Sequence, residues 1–174
     1  ATHNVPKNEF LKNDKIIKDF KEYVFLWLNH KNPITGLKIK DDPSLLFIEL
    51  GNELGNIRPD AGSTTIPPKS WLSEISSYIK TIDKNHLVLD GTDECLGSRE
   101  SSDFEVETID CFTGHFYWHD YERLNLGTKK SDELSKPYII GEYSSKFGSD
   151  WFKTMETQKN VKGTMFWSLY PNVN

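Results

Sequence analysis

Short apolar runs alternate with amphipathic segments along this chain, and that alternation limits the possible folds more than any other feature. Five runs bounded by turn residues are predicted to be buried strands, at 45–50, 86–91, 109–117, 137–143 and 162–169. Apolar residues recur at helical spacing in the segments around them, which predicts a helix of about 15 residues within 14–32, helices at 69–83 and 149–160 and a weak one at 131–135. Strands that alternate with helices indicate βαβ units and a parallel sheet.

The two longest helical segments show their buried faces in the sequence. In the first, Asp14 is the expected N-cap, because a carboxylate can accept hydrogen bonds from the free amides of the first turn. Its apolar face is expected to consist of Ile16, Phe20, Tyr23, Val24, Trp27 and Leu28. The corresponding face of the second helix consists of Trp71, Leu72, Ile75, Tyr78, Ile79 and Ile82. Each helix therefore has one apolar stripe to pack against a sheet.

Two α/β architectures accept about five parallel strands with flanking helices. One is an open, doubly wound sheet, and the other is part of a (β/α)8 TIM barrel, which takes about 250 residues when complete. The length of 174 residues favours the open sheet. The residues at the strand ends, described below, favour the barrel. In both cases we expect residues 1–174 to form a single domain.

The composition is typical of a soluble globular protein and argues against two kinds of partner. Charged residues make up 27% of the chain and the net charge is -5, with Lys and Arg scattered rather than clustered. This leaves no basic surface for nucleic acid or an anionic membrane. No run approaches the roughly 18 apolar residues of a membrane span, and the N-terminus lacks the layout of a signal peptide. We expect neither nucleic acid nor a membrane as a partner.

Neither the cysteines nor the histidines indicate a metal or a cofactor. Cys95 and Cys111 are the only cysteines, and we expect two buried thiols in preference to a disulfide. His115 and His119 have the spacing of zinc ligands on a helix, but they fall on a predicted strand and the loop after it. Their rings would not share a face, so no metal site is expected.

Polar and aromatic residues recur where the predicted strands end. In chain order they are Asn52 and Glu53, then Asp93 and Glu94, then His115 and Tyr117, then Glu142, and finally Trp167. The carboxyl ends of parallel strands form the edge at which α/β proteins bind ligands, in open sheets and in barrels alike. A ligand site is therefore predicted at this edge.

Glu53 and Glu142 suggest what such a site would do. Two carboxylates on either side of a glycosidic bond hydrolyse it, and in retaining enzymes they lie about 5 to 5.5 Å apart. Aromatic rings at the same edge suit the C–H faces of sugars, and Tyr117, Trp118, Tyr143 and Trp167 supply them. The pattern is typical of a glycoside hydrolase.

Four stretches in a fixed order resemble a known family. "FIELGNELGN", "GHFYW", "YIIGEYSS" and "GTMFWSLY" resemble the retaining glycoside hydrolases of family 5, and most closely their endo-β-1,4-mannanases. The preceding "FKEYVFLWLNHKNPITGLKIKDDPSL" is similar to the helix and loop that lead into the fourth strand of those enzymes. The resemblance runs from about residue 10 to the end. It implies a partial (β/α)8 barrel made of the fourth to eighth strands.

The resemblance also implies a role for individual residues. Glu53 would be the acid/base, Glu142 the nucleophile, and the substrate a β-mannan, with no cofactor. Glu94 falls in a segment of the family where Cys95 replaces a glycine, so it is expected to be structural or adjacent to the substrate. The remaining contacts are Asn52 to the sugar 2-hydroxyl, Tyr117 to the nucleophile, His115 beside the acid/base, and Trp167 as the floor of the sugar subsite.

A partial barrel leaves two apolar strand edges, at 45–50 and 162–169, that must be covered. A separate N-terminal fragment, a second copy of the chain, or rearrangement into an open sheet would each do so.

Two other functions remain open at this point: a β-glucanase of the same family, and a weakly active or inactive carbohydrate-binding or scaffold domain. We expect an extracellular protein, although no segment of the sequence itself indicates export.

Overall fold

The structure is a computed structural model that describes residues 5–55, 66–92, 105–144 and 146–168. Short 3-10 helices lie at Lys7–Lys12 and Ile39–Asp41. Four α-helices are present in the described residues: α1 Asp14–Asn29, α2 Lys69–Ile82, α3 Tyr121–Glu133 and α4 Ser149–Thr157. Five strands alternate with them: β1 Phe47–Glu49, β2 Leu87–Leu89, β3 Phe112–Phe116, β4 Tyr138–Ser144 and β5 Val161–Trp167. The predicted alternation of strands and helices is confirmed.

All of the described strands are parallel and follow one another in space in chain order. β1 pairs with β2, and β3, β4 and β5 pair in that order. A parallel bridge from Leu89 to Cys111 joins the two groups. A doubly wound sheet would reverse its strand order at a switch point, whereas a barrel keeps chain order. The strands thus form an arc of a TIM-type barrel, with β1 and β5 at its two ends among the described strands, and the open-sheet alternative is wrong.

The sheet has a helix-covered outer face and an opposite, inner face. Ile48 and Leu50 of the β1 region join a core cluster that includes Leu28 of α1 and Leu72 of α2. A second, smaller cluster consists of strand residues alone, with Leu89, Cys111 and Ile139 at its centre and Phe47 and Leu87 against it. Because successive strand residues point to opposite faces, this second cluster marks the barrel interior.

Helix α1 differs from the prediction at its start and on its face. The N-cap is Asn13, whose Oδ1 accepts hydrogen bonds from Lys15 N at 3.1 Å and Ile16 N at 3.2 Å, so the assignment of Asp14 is wrong. Ile16, Val24 and Leu28 are buried as predicted, and Phe20 is half-buried, but Tyr23 is 62% exposed and Trp27 37% exposed. The apolar stripe of α1 is therefore wider than the area that the described residues cover.

Helix α3 begins ten residues before the predicted helix at 131–135. Asp120 caps it by accepting a hydrogen bond from Arg123 N at 2.9 Å. Its buried residues include Thr128 and Ser131, and the Thr128 hydroxyl donates to the Leu124 carbonyl at 2.9 Å. Polar residues thus occupy part of the buried face, and the apolar periodicity on which the prediction depended is weak there.

Both ends of the arc present large apolar side chains to solvent. On the β1 side these are Tyr23, Phe25, Leu26, Leu45 and Leu46, and on the β5 side Met165, Phe166 and Trp167. When such side chains form a continuous patch, they mark an interaction surface on most proteins. None of the described helices combines the length and the apolar character needed to cross a bilayer.

Candidate active site

The turn after β1 is held in place by close contact with the end of β2. Leu54 N donates to Gly91 O at 2.9 Å, and Leu54 and Thr92 form a parallel bridge. Gly91 has φ 72°, and a Cβ there would lie 2.1 Å from Gly51 O. Only glycine permits this approach, since its backbone reaches positive φ without a clash. The glycines after the strand therefore bring the two strand ends together.

Glu53 sits in this turn in the left-handed conformation, with φ 51°. For a residue with a side chain that conformation costs about 1–2 kcal/mol. The contacts of the next residue, Leu54, with β2 hold the turn and offset that cost. The carboxylate is consequently directed by the backbone of a fixed turn rather than by a flexible loop.

Glu53, His115 and Glu142 converge at the carboxyl ends of three strands. His115 Nδ1 lies 3.1 Å from Glu53 Oε1 and 3.6 Å from Glu142 Oε2. The imidazole nitrogen of His115 and one carboxylate oxygen of each glutamate all lie within 4.8 Å of one another. The His115 side chain is 3% exposed, and those of Glu53 and Glu142 are 19% and 15% exposed. Two largely buried carboxylates thus face one cleft with an imidazole between them.

Tyr117 fixes the second carboxylate. Its hydroxyl donates a hydrogen bond to Glu142 Oε2. The register between β3 and β4 shifts between Gly114 and His115, so that His115 pairs with Glu142. Such irregularities re-aim side chains at active sites. The shift places His115, Tyr117 and Glu142 on the same side of the sheet as the Glu53 carboxylate.

Gly141 makes room for the imidazole. A Cβ on Gly141 would lie 2.8 Å from His115 Nε2 and 2.7 Å from Thr113 Oγ1. Any larger residue would push the ring away from the two glutamates. The glycine before Glu142 therefore has a packing role at the site.

Arg123 supports the site from the helical side, and it was not among the residues predicted from the sequence. Its guanidinium donates to the His115 carbonyl and lies 4.5 Å from the centre of the Phe116 ring. It stands in the first turn of α3, before the helix predicted at 131–135. The sequence signal was Asp120, an N-cap residue three positions earlier.

Glu49 is a third carboxylate near the site, and it too was missed. It belongs to β1 and alternates with the outward-facing Ile48 and Leu50, so it lies on the inner face. Burial of the carboxyl group raises the pKa of Glu49, and the charge of Glu142 raises it further, while His115 acts in the opposite direction. Part of the residue remains exposed to solvent. Alternation along the strand could have revealed it.

Two predicted binding residues lie outside this cluster. Asn52 is exposed and precedes Glu53 in the turn. Trp167 ends β5, pairs in register with Ser144 two residues beyond Glu142, and is 59% exposed. Asp93, Glu94 and Cys95 lie outside the described residues. Asn52 is thus adjacent to Glu53 in sequence, and the register partner of Trp167 lies two residues from Glu142.

His119 and Cys111 lie in structural surroundings. The His119 ring packs on Phe147, with ring centroids 4.3 Å apart. Among the described residues, the one group of possible metal ligands is Glu53, His115 and Glu142, and it excludes His119. Cys111 is a free thiol, and burial raises its pKa to about 11.

Comparison with known proteins decides the family. Residues 2–156 match the model of a family described as GH family 5 beta-mannosidase-like. The chain belongs to glycoside hydrolase family 5. The resemblance found in the sequence motifs is confirmed.

Curated proteins and a solved structure are similar to most of this chain. Mannan endo-1,4-beta-mannosidase 2 of Oryza sativa subsp. japonica is 40% identical over 167 residues, covering 75% of this chain and 37% of that protein. Mannan endo-1,4-beta-mannosidase 1 of the same plant is 34% identical over 177 residues, covering 83% of this chain and 39% of that protein. The endo-1,4-beta-mannanase from Rhizomucor miehei superposes with a TM-score of 0.78 at 26% identity, covering 92% of this chain and 55% of that one.

A second solved structure supports the fold alone. The endo-beta-1,4-mannanase from Thermotoga petrophila superposes with a TM-score of 0.73 at 24% identity, over 96% of this chain and 43% of that one. The chain thus spans about two fifths of the length of the curated relatives it matches. This family 5 chain corresponds to part of a barrel, as the motifs predicted.

Proposed function

We propose that this chain carries the catalytic carboxylates of a retaining endo-β-1,4-mannanase. The observation that carries the proposal is the convergence of Glu53 and Glu142 beside His115. One carboxylate oxygen of Glu53 lies within 4.8 Å of one carboxylate oxygen of Glu142. Retaining glycosidases place their carboxyl groups about 5 to 5.5 Å apart, whereas inverting enzymes keep them about 6.5 to 9.5 Å apart to admit a water molecule. The close pairing favours retention.

Glu142 acts as the nucleophile in this scheme. One carboxylate oxygen attacks the anomeric carbon of the sugar while the bond to the leaving oxygen breaks, which forms a glycosyl-enzyme ester. The Tyr117 hydroxyl donates a hydrogen bond to Glu142 Oε2. That hydrogen bond orients the nucleophile before attack.

Glu53 acts as the acid and then as the base. It gives its proton to the leaving glycosidic oxygen in the first step. In the second step it takes a proton from water, whose oxygen attacks the anomeric carbon and releases Glu142. His115 Nδ1 lies 3.1 Å from Glu53 Oε1 and 3.6 Å from Glu142 Oε2. The imidazole is therefore placed to hydrogen-bond with either carboxylate as their charges change.

The substrate is proposed to be a β-mannan, because the relatives that match are named mannan endo-1,4-beta-mannosidases. Trp167 offers an indole, 59% exposed, for stacking on a sugar ring. Asn52, exposed beside Glu53, is proposed to bind the 2-hydroxyl, the position at which mannose and glucose differ. The extracellular location expected from the resemblance stays a prediction.

We further propose that an N-terminal polypeptide with three more βα units covers the open ends of the arc. The apolar side chains at β1 and β5 are exposed, and the matched relatives are more than twice as long as the matched part. A closed barrel would satisfy both edges. Size-exclusion chromatography with light scattering tests this: a stable homodimer with buried edges would point instead to a second copy.

The function is tested by incubating the purified protein with galactomannan and measuring new reducing ends. Glu53→Gln and Glu142→Gln should each abolish release, because neither amide can transfer the proton or attack the anomeric carbon. Glu156→Gln, an exposed glutamate on α4, is the matched control and should retain full activity. Unchanged release by the Glu142 variant would refute the mechanism.

A binding function without turnover is the second candidate, favoured by the exposed edges and the partial length. It predicts retention on mannan in affinity electrophoresis, lost in Trp167→Ala, with no reducing ends from wild-type protein. A β-glucanase would instead release reducing ends faster from carboxymethylcellulose than from galactomannan. The two assays together separate the three functions.

A further inference from the structure

The three groups at the centre of the site have the chemistry and spacing of a metal site. They offer one imidazole nitrogen and two carboxylate oxygens, within 4.8 Å of one another. Zinc binds such ligands at about 2.0–2.2 Å, so two ligand atoms in a tetrahedral site lie about 3.4 Å apart. The separations of His115 Nδ1 from the two carboxylates, 3.1 and 3.6 Å, lie on either side of that value. The two separations from the imidazole nitrogen therefore suit one shared ion.

A cationic side chain beside the site is turned away from the ligand atoms. The Arg123 guanidinium donates a hydrogen bond to the His115 carbonyl and packs on the Phe116 ring. Phe116 belongs to the core cluster on the helix-covered face of the sheet. The guanidinium therefore lies on the opposite side of β3 from the ligand atoms.

Further residues resemble the outer shell of a metal centre. The Tyr117 hydroxyl donates to Glu142 Oε2, as groups around ligating carboxylates do. Thr113 is fully buried, and its Oγ1 has no hydrogen-bond partner among the described residues. It lies with His115 Nε2 beside Gly141, each within 2.8 Å of the position of an added Cβ. A histidine that binds a metal through Nδ1 donates its Nε2–H to an acceptor. The Thr113 hydroxyl oxygen is available as that acceptor.

We propose that Glu53, His115 and Glu142 bind one Zn²⁺ ion, and that zinc thereby blocks the site against carbohydrate. The ion takes the Nδ1 lone pair, so the proton of the neutral ring resides on Nε2. Both carboxylates become ligands and cannot act as acid or nucleophile while the ion is bound. The inhibition rests on the proposed function, whereas the binding does not.

The test is isothermal titration of the purified, metal-free protein with zinc chloride at pH 7, without substrate. One Zn²⁺ per chain is expected, with binding weakened at least about tenfold in His115→Gln and in Glu142→Gln. Binding should also weaken at pH 5, because protons compete for the ligands. His30→Gln and His119→Gln, which remove exposed imidazoles, are matched controls and should bind as wild type does.

A second readout guards against variants that fail to fold. Zinc should raise the midpoint of thermal unfolding of wild type, since a ligand bound to the native state stabilises it, and at the same zinc concentration should raise that of Glu53→Gln less. No saturable binding, or equal affinity in wild type and His115→Gln, would overturn the proposal. Zinc binding in a protein without turnover would refute the enzymatic function alone, and turnover without zinc binding would refute the zinc site alone.

Discussion

A buried ion pair at the amino end of β2 makes a sharp prediction about stability. His86 Nδ1 lies 2.7 Å from Asp83 Oδ2 and His86 Nε2 lies 3.0 Å from the Asp42 carbonyl oxygen. A carboxylate and a carbonyl are both acceptors, so both ring nitrogens must donate, and the ring is an imidazolium. The side chains of His86 and Asp83 are 4% and 0% exposed. The pair ties the loop before β1 to the end of α2.

The pKa directions agree with this reading. Burial alone would lower the pKa of His86, but its hydrogen bonds to Asp83 and to the Asp42 carbonyl, with the charges of Asp83 and Asp42, outweigh burial and raise it. Burial would likewise raise the pKa of Asp83, and hydrogen bonds from the His86 ring and from the amides of Asn85 and His86 lower it instead. The Lys80 ammonium, at 3.1 Å from the His86 carbonyl, is the nearby cation.

The sign of the pH dependence follows from these directions. A raised histidine pKa contributes stability that is complete below about pH 6.5 and is lost as pH rises through the folded-state pKa. A lowered aspartate pKa contributes stability above about pH 4 that is lost as pH falls through its folded-state value. The pair therefore stabilises most between about pH 4 and 6.5.

His86→Gln should cost about 3 kcal/mol at pH 6, because it leaves the buried Asp83 carboxylate without its counter-charge. For a chain of this size the thermal midpoint should fall by roughly 6 to 12 °C. Urea unfolding of variant and wild type at pH 6 and pH 9 measures the difference, with the exposed His30→Gln as control. The difference should shrink at pH 9, and a constant difference, or none at pH 6, would refute the imidazolium.

Three further predictions concern single residues. Tyr117→Phe removes a hydrogen bond to a charged group, worth about 1.5 to 3 kcal/mol, so kcat on mannan should fall about 10- to 100-fold with little change in KM; an unchanged kcat would contradict its orienting role. Gly91→Ala should destabilise by at least about 2 kcal/mol in urea, since Ala at φ 72° is strained and its Cβ would meet Gly51 O at 2.1 Å; a neutral effect would argue against this close approach. Cys111, whose pKa burial raises to about 11, should react with iodoacetamide at pH 8 only after urea unfolding. Peptide mapping separates its label from that on Cys95, and rapid labelling of Cys111 in the native protein would contradict its burial.

The spacing of apolar residues predicted those strands and helices whose buried faces are apolar. The strands around Ile48 and Ile140 are short or continuous apolar runs between turn residues, and both were found in the structure. Helix α3 was missed over most of its length because Thr128 and Ser131 are buried through hydrogen bonds rather than apolar contacts. Such burial leaves no apolar repeat to detect.

The site residues divide in the same way. Glu53, His115, Tyr117 and Glu142 were predicted from strand ends and motifs, and the structure brings them together. Arg123 and Glu49 were missed, because one acts through the His115 backbone and the other depends on which face of β1 turns inward. Long-range register, set here by a bulge and two close glycine contacts, is not encoded in any short segment.

The assignment of the two glutamates is tested most directly by azide rescue of Glu53→Ala and Glu142→Ala on an activated β-mannoside. Azide in the space left by the Glu142 side chain attacks from the face opposite the leaving group, so that variant should yield the α-mannosyl azide. The Glu53 variant still forms the glycosyl-enzyme, which azide opens to the β-mannosyl azide. Proton NMR of the two products distinguishes the anomers. The reverse assignment, or no azide product from either folded variant, would contradict the central claim that Glu142 attacks the sugar and Glu53 moves the proton.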